Sequence, residues 1–275
     1  MRVVQVLSRN ADFQRFEVLR TNRNKRHRMN AFLVEGVRNI NGASAFGWTI
    51  QAFLYARGKP LSRWANGMMN AHADAVRYEL SAERMDEISA KDESSELMAI
   101  VAMRAPAPEA LLDAANPLLA LFDRPGNRGN LGTVIRSCDA LGVGGLIVTG
   151  HGVDPYDPEV VTATMGSLFK VPVVPVNAQQ ELKAFFGAAR ARHAGFQVLG
   201  TSARADKTIY ACDLTRPTLF MIGNETDGLA PNLRALCDDM ATIPMAGDSY
   251  ATSLNVACAA AILFGAAGAQ RVPKG

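Results

Sequence analysis

"RPGNRGNLGTVIRSCDALGVGGLIVTG", Arg124 to Gly150, decides the fold class. It crowds glycines and asparagines into one short loop, continues as an apolar-periodic segment and ends in "GLIVTG" (Gly145–Gly150), a short apolar run of buried-strand type. A second such run, "LLALF" (Leu118–Phe122), stands just ahead of it. Glycine lets the backbone come close to a ligand or a neighbouring chain because it has no Cβ. The order strand, glycine-rich loop, helix from about Gly132 to Leu141, strand describes one parallel crossover unit.

The rhythm continues to the C-terminus. "PEVVTATMGSLFKV" reads as a helix, "PVVPV" as a strand and "QELKAFFGAARAR" as a helix. "FQVLGTS" and "TLFMIGNE" read as strands, "NLRALC" as a short helix, "MATIPM" as a strand and "SLNVACAAAILFGAAGA" as the final helix. Strands alternating with helices imply a mostly parallel sheet covered on both faces. Ligands of such sheets sit beyond the carboxyl ends of the strands. Three loops, "DRPGNRGN", "GNETDG" and "AGDSYATSLN", each follow a strand and are rich in Gly, Asn, Ser or Asp. Together they place one pocket at that edge.

Ahead of this region, "RAPAPEALLDAANP" (Arg104–Pro117) is punctuated by Pro106, Pro108 and Pro117 and reads as a linker with a helical turn. Before the linker, "AFLVEG" (Ala31–Gly36), "TIQAFLYA" (Thr49–Ala56) and "LMAIVAM" (Leu97–Met103) read as strands. Helical stretches separate them, among them "SAERMDEISA" with Ser81 as its cap. The expected organisation is a small α/β domain at 1–104, a linker at 105–116 and a larger α/β domain at 117–275.

Bulk properties remove several function classes. The 275 residues are 48% apolar and 20% charged, as in an ordinary globular chain. No signal-peptide layout opens the sequence, and Val256–Ala269 is too short and too rich in Gly and Ala to span a bilayer. Cys138, Cys212, Cys237 and Cys258 form no CxxC pair, and the four histidines form no HExxH. No metal centre or disulfide framework is expected, and a reducing cytoplasm fits. Gly126, Gly129 and Gly132 miss the dinucleotide spacing, "GVGG" precedes a strand instead of following one, and no Walker lysine occurs. Ser253 has no G-x-S-x-G setting, and no histidine lies in the three loops. What remains is group transfer from an activated donor, where positioning supplies much of the acceleration.

The net charge of +3 is unevenly spread: residues 1–60 carry eleven Lys/Arg against three Asp/Glu. Such local basicity reads as attraction to a polyanion or as a solvated face. Its tightest cluster is "RTNRNKRHR", Arg20 to Arg28. Trp48, Trp64 and the Met68–Met69 pair read as packing.

"NRGNLGTVIRSCDALG", "FMIGNETDGL" and "IPMAGDSYATSLNVACAAAIL" stand in this order. Over roughly Leu118 to Ala267 they resemble the three motifs of the SpoU/TrmH family of RNA ribose 2′-O-methyltransferases, in the SPOUT superfamily. "KRHRMNAFLVEGVRNI" resembles, more loosely, the L30e-like substrate-binding domain that precedes the catalytic domain in many members. The resemblance implies a SPOUT-type sheet whose C-terminal part forms a trefoil knot, S-adenosylmethionine bound in that knot, no metal, and a homodimer through the knot region. It implies an enzyme acting on RNA, with ribosomal RNA of the 23S type favoured by the two-domain layout. A transfer-RNA substrate and a non-catalytic RNA-binding relative are the alternatives.

Carried over residue by residue, the resemblance implies Asn130, Arg136, Glu225, Ser253 and Asn255 as catalytic. It implies cofactor contacts from Gly200, Thr201, Ile222, Gly223, Ile243, Met245 and Leu254, although the stretch from Ile243 to Ser253 is about two residues longer than in compact members. Arg20, Arg23, Lys25, Arg26 and Arg28 are the expected RNA contacts. Arginine stays protonated above pH 12, so Arg136 is expected to anchor a phosphate or stabilise the forming alkoxide, not to act as a base. The competing structural readings are a buried Arg136 paired with Asp139 or Glu225, a Glu225 that caps the short helix near Pro231, and loop or cap roles for Asn130, Ser253 and Asn255.

Overall fold

Alternating apolar positions build the N-terminal sheet. The computed structural model describes residues 3–272, so residues 1–2 and 273–275 of the expected domains lie outside it. Residue contacts divide the chain into two units: Met1–Arg104 with Asp154–Lys170, and Ala105–Val153 with Val171–Gly275. The expected domain division did not anticipate that 154–170, from the middle of the second region, packs with the first.

The first unit runs β1 (Val3–Val6), α1 (Ala11–Thr21), α2 (Arg23–Met29), β2 (Ala31–Glu35), α3 (Val37–Ala45), β3 (Ile50–Ala56), α4 (Arg63–Ala71), β4 (Val76–Leu80), α5 (Ala82–Ile88) and β5 (Leu97–Ala102). Its sheet has the order β1-β4-β3-β5-β2, with β5 antiparallel to both β2 and β3. Successive strand residues face opposite sides. Ala31 and Leu33, Ala52 and Leu54, and Met98 and Ile100 pack against Phe13, Phe16 and Leu19 of α1 and Met85 and Ile88 of α5. Phe32 faces the other way, onto Trp48, Tyr156 and Phe169. Ser81 caps α5 as expected, accepting the Arg84 N–H at 3.3 Å. β1 and β4 carry no clear sequence signal: one is four residues long, and the other is broken by Arg77 and Glu79.

The helix expected over 158–171 stops early. α6 and β7 precede it in the chain and are placed below; the helix itself, α7, covers only Pro158–Ala163, and a single 3-10 turn follows at Ser167–Phe169. Between them Met165 and Gly166 take φ of 52° and 98°. A Cβ on Gly166 would lie 3.0 Å from the Arg38 carbonyl oxygen, so close backbone packing bends the chain there. The bend lets the Trp48 indole N–H donate to the Phe169 carbonyl at 2.9 Å.

The second unit consists of β6 (Leu118–Asp123), α6 (Arg128–Ala140), β7 (Leu146–Thr149), β8 (Val173–Val176), α8 (Gln179–Arg192), β9 (Gln197–Thr201), β10 (Lys207–Thr208), β11 (Thr218–Ile222), α9 (Pro231–Arg234), β12 (Asp239–Thr242) and α10 (Val256–Arg271). Its seven strands are all parallel, in the order β10-β12-β9-β11-β6-β7-β8. Every residue of the central strands β6 and β11 is buried, which is why both read as unbroken apolar runs. One face packs on Phe185, Phe186 and Ala189 of α8; on the other, Phe220 meets Phe264 of α10. Residues 105–116 are not a free linker: Leu111 and Leu112 are buried in the α8 core, and His193 Nε2 lies 2.9 Å from the Leu112 carbonyl oxygen.

α6 begins at Arg128, four residues before the expected start. Asn127 decides this by accepting the Asn130 N–H on its side-chain oxygen at 2.9 Å. Arg136 therefore falls in the third turn, about 12 Å along the axis from the start at 1.5 Å per residue.

Candidate active site

The chain leaves β6, β7 and β8 in one direction and returns on the other side of β6 through β9 and β11. Such a reversal opens a crevice at the carboxyl edge of the sheet, and the loops after β6, after β11 and before α10 meet there. The Glu225 carboxylate accepts the Gly126 N–H at 2.9 Å, the Asn127 N–H at 3.2 Å and the Asn130 side-chain amide at 3.2 Å. The Asn130 side-chain oxygen in turn accepts from the Asn255 amide at 3.1 Å. Asn255 caps α10 by accepting the Ala257 N–H at 2.8 Å. Glu225 in the loop after β11, Asn130 in the first turn of α6 and Asn255 at the start of α10 are thus wired in one chain. Glu225 does not cap α9; the Ala230 N–H at that helix start goes to Asp123, at 3.0 Å.

Arg136 is exposed and makes no hydrogen bond or ion pair among the described residues, so the buried-pair reading fails. It lies six residues beyond Asn130 and points to a different side of α6. Ser253 is exposed in the loop ahead of α10. Six of the seven expected cofactor residues lie at the ends of three strands adjacent in the sheet: Gly200 and Thr201 end β9, Ile222 ends β11 with Gly223 next in the chain, and Ile243 and Met245 follow β12; Leu254 stands apart, in the loop ahead of α10. Met245 and Leu254 are apolar yet 36% and 38% exposed. Gly223 is needed for loop closure, since a Cβ there would lie 2.3 Å from the Leu229 nitrogen.

The sequence model of the SpoU rRNA methylase family matches residues 117–265, and that of the SpoU L30e-like domain matches residues 10–99. The chain is 42% identical over 272 residues to the 23S rRNA (uridine(2479)-2′-O)-methyltransferase of Streptomyces viridochromogenes, covering 98% of this chain and 93% of that protein. The chain belongs to the SpoU rRNA methylase family. The SpoU methyltransferase AviRb from Streptomyces viridochromogenes, solved in complex with the cofactor AdoMet, superposes with a TM-score of 0.89 at 41% identity, over 96% of this chain and 99% of that one. The AdoMet-bound rRNA methyltransferase from Sinorhizobium meliloti gives a TM-score of 0.84 at 27% identity, over 96% and 97%.

Several supporting residues of this SpoU site escape the sequence reading. Asn224 donates from its side chain to the Arg124 carbonyl at 2.7 Å and accepts the Thr226 N–H at 2.8 Å, folding the loop that presents Glu225. Asp123, buried at the end of β6, accepts from the Thr149 hydroxyl at 2.9 Å and from Arg124 at 3.0 and 3.1 Å. A buried acid at the carboxyl end of a central strand was the available signal. Burial pushes the Cys237 thiol up to about 11, so it remains a neutral thiol, with its sulfur 3.6 Å from that of Met221 on β11.

The basic cluster divides in the L30e-like unit. Arg23, Lys25 and Arg28 are exposed on α2, and Arg20 is exposed at the end of α1, donating to the Glu87 carbonyl. Arg26 is 2% exposed. Its Nε and Nη2 lie 3.0 and 2.9 Å from Asp154 Oδ2, and its Nη1 donates to the Leu19 and Arg20 carbonyls at 3.1 Å each. The RNA contact expected of Arg26 is therefore corrected: its hydrogen bonds are spent inside the unit.

The Asn130–Asn255 link gives a separable test. Asn255→Ala removes the α10 cap and should cost about 1 kcal/mol of stability. Asn255→Asp keeps the cap but turns an oxygen toward the Asn130 oxygen, so stability should recover while methyl transfer stays low. Recovery of both in denaturation and transfer assays would reduce Asn255 to a cap.

Proposed function

We propose that this SpoU chain transfers a methyl group from S-adenosylmethionine to a ribose 2′-hydroxyl of ribosomal RNA, of the 23S type. The observation that carries the reading is the Glu225–Asn130–Asn255 chain, which ties three motif loops together at the carboxyl edge of the sheet. The backbone of Thr201, Gly223 and Ile243 to Met245, with the Met245 and Leu254 side chains, would hold the cofactor in a C-terminal knot. S-adenosylmethionine supplies an activated methyl on a sulfonium centre, so no metal is called for. Asn130 and Asn255 fix the loops on either side of the pocket, and Glu225 sets the Gly126–Asn130 turn. Arg136 holds an RNA phosphate or stabilises the alkoxide as the hydroxyl proton passes to phosphate or water. Ser253 lines the loop ahead of α10.

Mapping 2′-O-methyl positions on total RNA from cells with and without the protein tests this. A methylated position on 23S rRNA that vanishes with the protein is expected; a change confined to transfer RNA would move the assignment to that substrate, and no change would remove the activity.

The chain would work as a homodimer in the cytoplasm. α10 buries Ala257, Ala260, Leu263, Phe264 and Ala267, yet its remaining faces carry Ile262, Gly265, Ala266 and Ala269. A helix apolar all round must bury more than one stripe. Sedimentation should give a dimer at micromolar concentration, and a monomer there would contradict it.

Arg20, Arg23, Lys25 and Arg28 would contact RNA phosphates. Phosphate contacts bring a steep salt dependence and little sequence information. Replacing Arg23, Lys25 and Arg28 together by Ala should weaken RNA binding and reduce the log–log salt slope by about 2 to 3. Filter binding that shows an unchanged slope would leave these residues a merely solvated face.

A further inference from the structure

The side of the first sheet that Phe53 shares with His72, at the end of α4, is covered by α3 and α4. Between these two helices lies an open groove of about 440 Å³ lined by Asn41 and Ser44 from α3 and Arg63, Trp64, Gly67 and Met68 from α4. Helix α4 divides its apolar residues: Met69 is buried in the unit, whereas Trp64 and Met68 are only half-buried and form the groove wall. The Trp64 indole N–H donates to the Asn41 side-chain oxygen at 2.8 Å, which fixes the ring and leaves the Asn41 amide hydrogens for a ligand.

The charge of the groove has one sign. Among the described residues no carboxylate lines it. Arg63 is exposed and makes no ion pair or hydrogen bond among the described residues, and the same holds for Arg38, one turn ahead of Asn41 on α3. The space beside Gly67 is open, since a Cβ there would meet nothing within 4 Å, and only a larger side chain would occupy it. A fixed aromatic wall, the Asn41 amide and the unpaired Arg63 guanidinium, with Arg38 nearby on α3, match the chemistry of single-stranded RNA, whose splayed bases stack on aromatic side chains while cations hold the backbone.

We propose that this groove receives an unpaired nucleobase of the RNA substrate, stacked on Trp64, with Arg63 on a flanking phosphate. The proposal rests on the RNA methyltransferase reading and adds to it a contact for substrate on the L30e-like unit, on a different helix pair from the basic α2.

The test uses the full chain with a mixed-sequence single-stranded RNA oligonucleotide, the same sequence as a perfect duplex, and methyl transfer to unmethylated 23S rRNA. Trp64→Ala should weaken binding of the single strand about tenfold, the size of one lost stacking contact. Trp64→Phe should stay near wild type, and Gly67→Leu should weaken binding as Trp64→Ala does by filling the groove. Leucine is a better helix former than glycine, so a loss in Gly67→Leu is not a loss of folding. Duplex binding should not respond, and in transfer assays KM for RNA should rise at unchanged kcat. Folded Trp64→Ala and Gly67→Leu proteins that bind the single strand as wild type does would overturn the groove, even with transfer intact. Single-strand binding that depends on both positions in a protein unable to methylate any ribosomal RNA would uphold the groove and remove the reading of the reaction.

Discussion

Arg136→Ala should lower methyl transfer by about 10²-fold or more, with cofactor binding held within about a few fold, as for the loss of one electrostatic stabiliser. The side chain is exposed on the third turn of α6 and makes no ion pair among the described residues. Its removal therefore leaves no buried partner orphaned, and the melting temperature should hardly move. That separates the catalytic reading from a structural one. Arg136→Lys keeps the charge but loses the planar, forked donor set that suits phosphate, and should recover only part of the rate. Transfer with saturating RNA at the wild-type rate in Arg136→Ala would make the residue irrelevant to the reaction. Calorimetric titration of the cofactor into the same variant checks the other half.

Breaking the Arg26–Asp154 pair should have the largest effect on stability. Arg26 and Asp154 are 2% and 3% exposed at 2.9 Å. Removing one partner of a buried pair leaves the other charge uncompensated and costs about 3–5 kcal/mol. Arg26→Ala and Asp154→Ala should both fall in that range, and a double replacement with apolar residues of similar size should recover only part of the loss, because Asp157, 14% exposed and 3.6 Å from Arg26 Nη2, loses its cation as well. Arg23→Ala, Lys25→Ala and Arg28→Ala, at exposed neighbours on the same helix, should change stability by less than about 0.5 kcal/mol. Denaturant unfolding of the full chain decides it. An Arg26→Ala protein of wild-type stability with weakened RNA binding would restore Arg26 to the RNA surface.

The two outcomes differ because of where each arginine's counter-charge lies. Five cations between Arg20 and Arg28 look alike in sequence, and nothing local marks one of them for burial. The partner of Arg26 lies 128 positions later in the chain, in a segment that the sequence assigned to the other domain. Arg136 posed the reverse problem: its apolar surroundings in sequence left a paired, buried charge as the competing reading, but helix periodicity turns it outward while Leu131, Val134, Ile135 and Cys138 are buried.

By itself the sequence determined the central strands, because β6 and β11 are buried on both faces and must be continuously apolar. It determined the cap of α5, because a serine oxygen beside the first free N–H groups acts within one turn. It also determined the order of the three polar loops and, through their resemblance to one family, the residues they hold. Tertiary structure alone decided that α7 ends at Ala163, since the bend at Met165 and Gly166 answers the backbone of α3. It decided that Leu111 and Leu112 enter a core, and that Asn130, Glu225 and Asn255 touch, across as many as 125 positions of chain. Caps and strand periodicity are satisfied within a few residues, whereas the burial of a charge or the meeting of two loops depends on groups that only folding brings near.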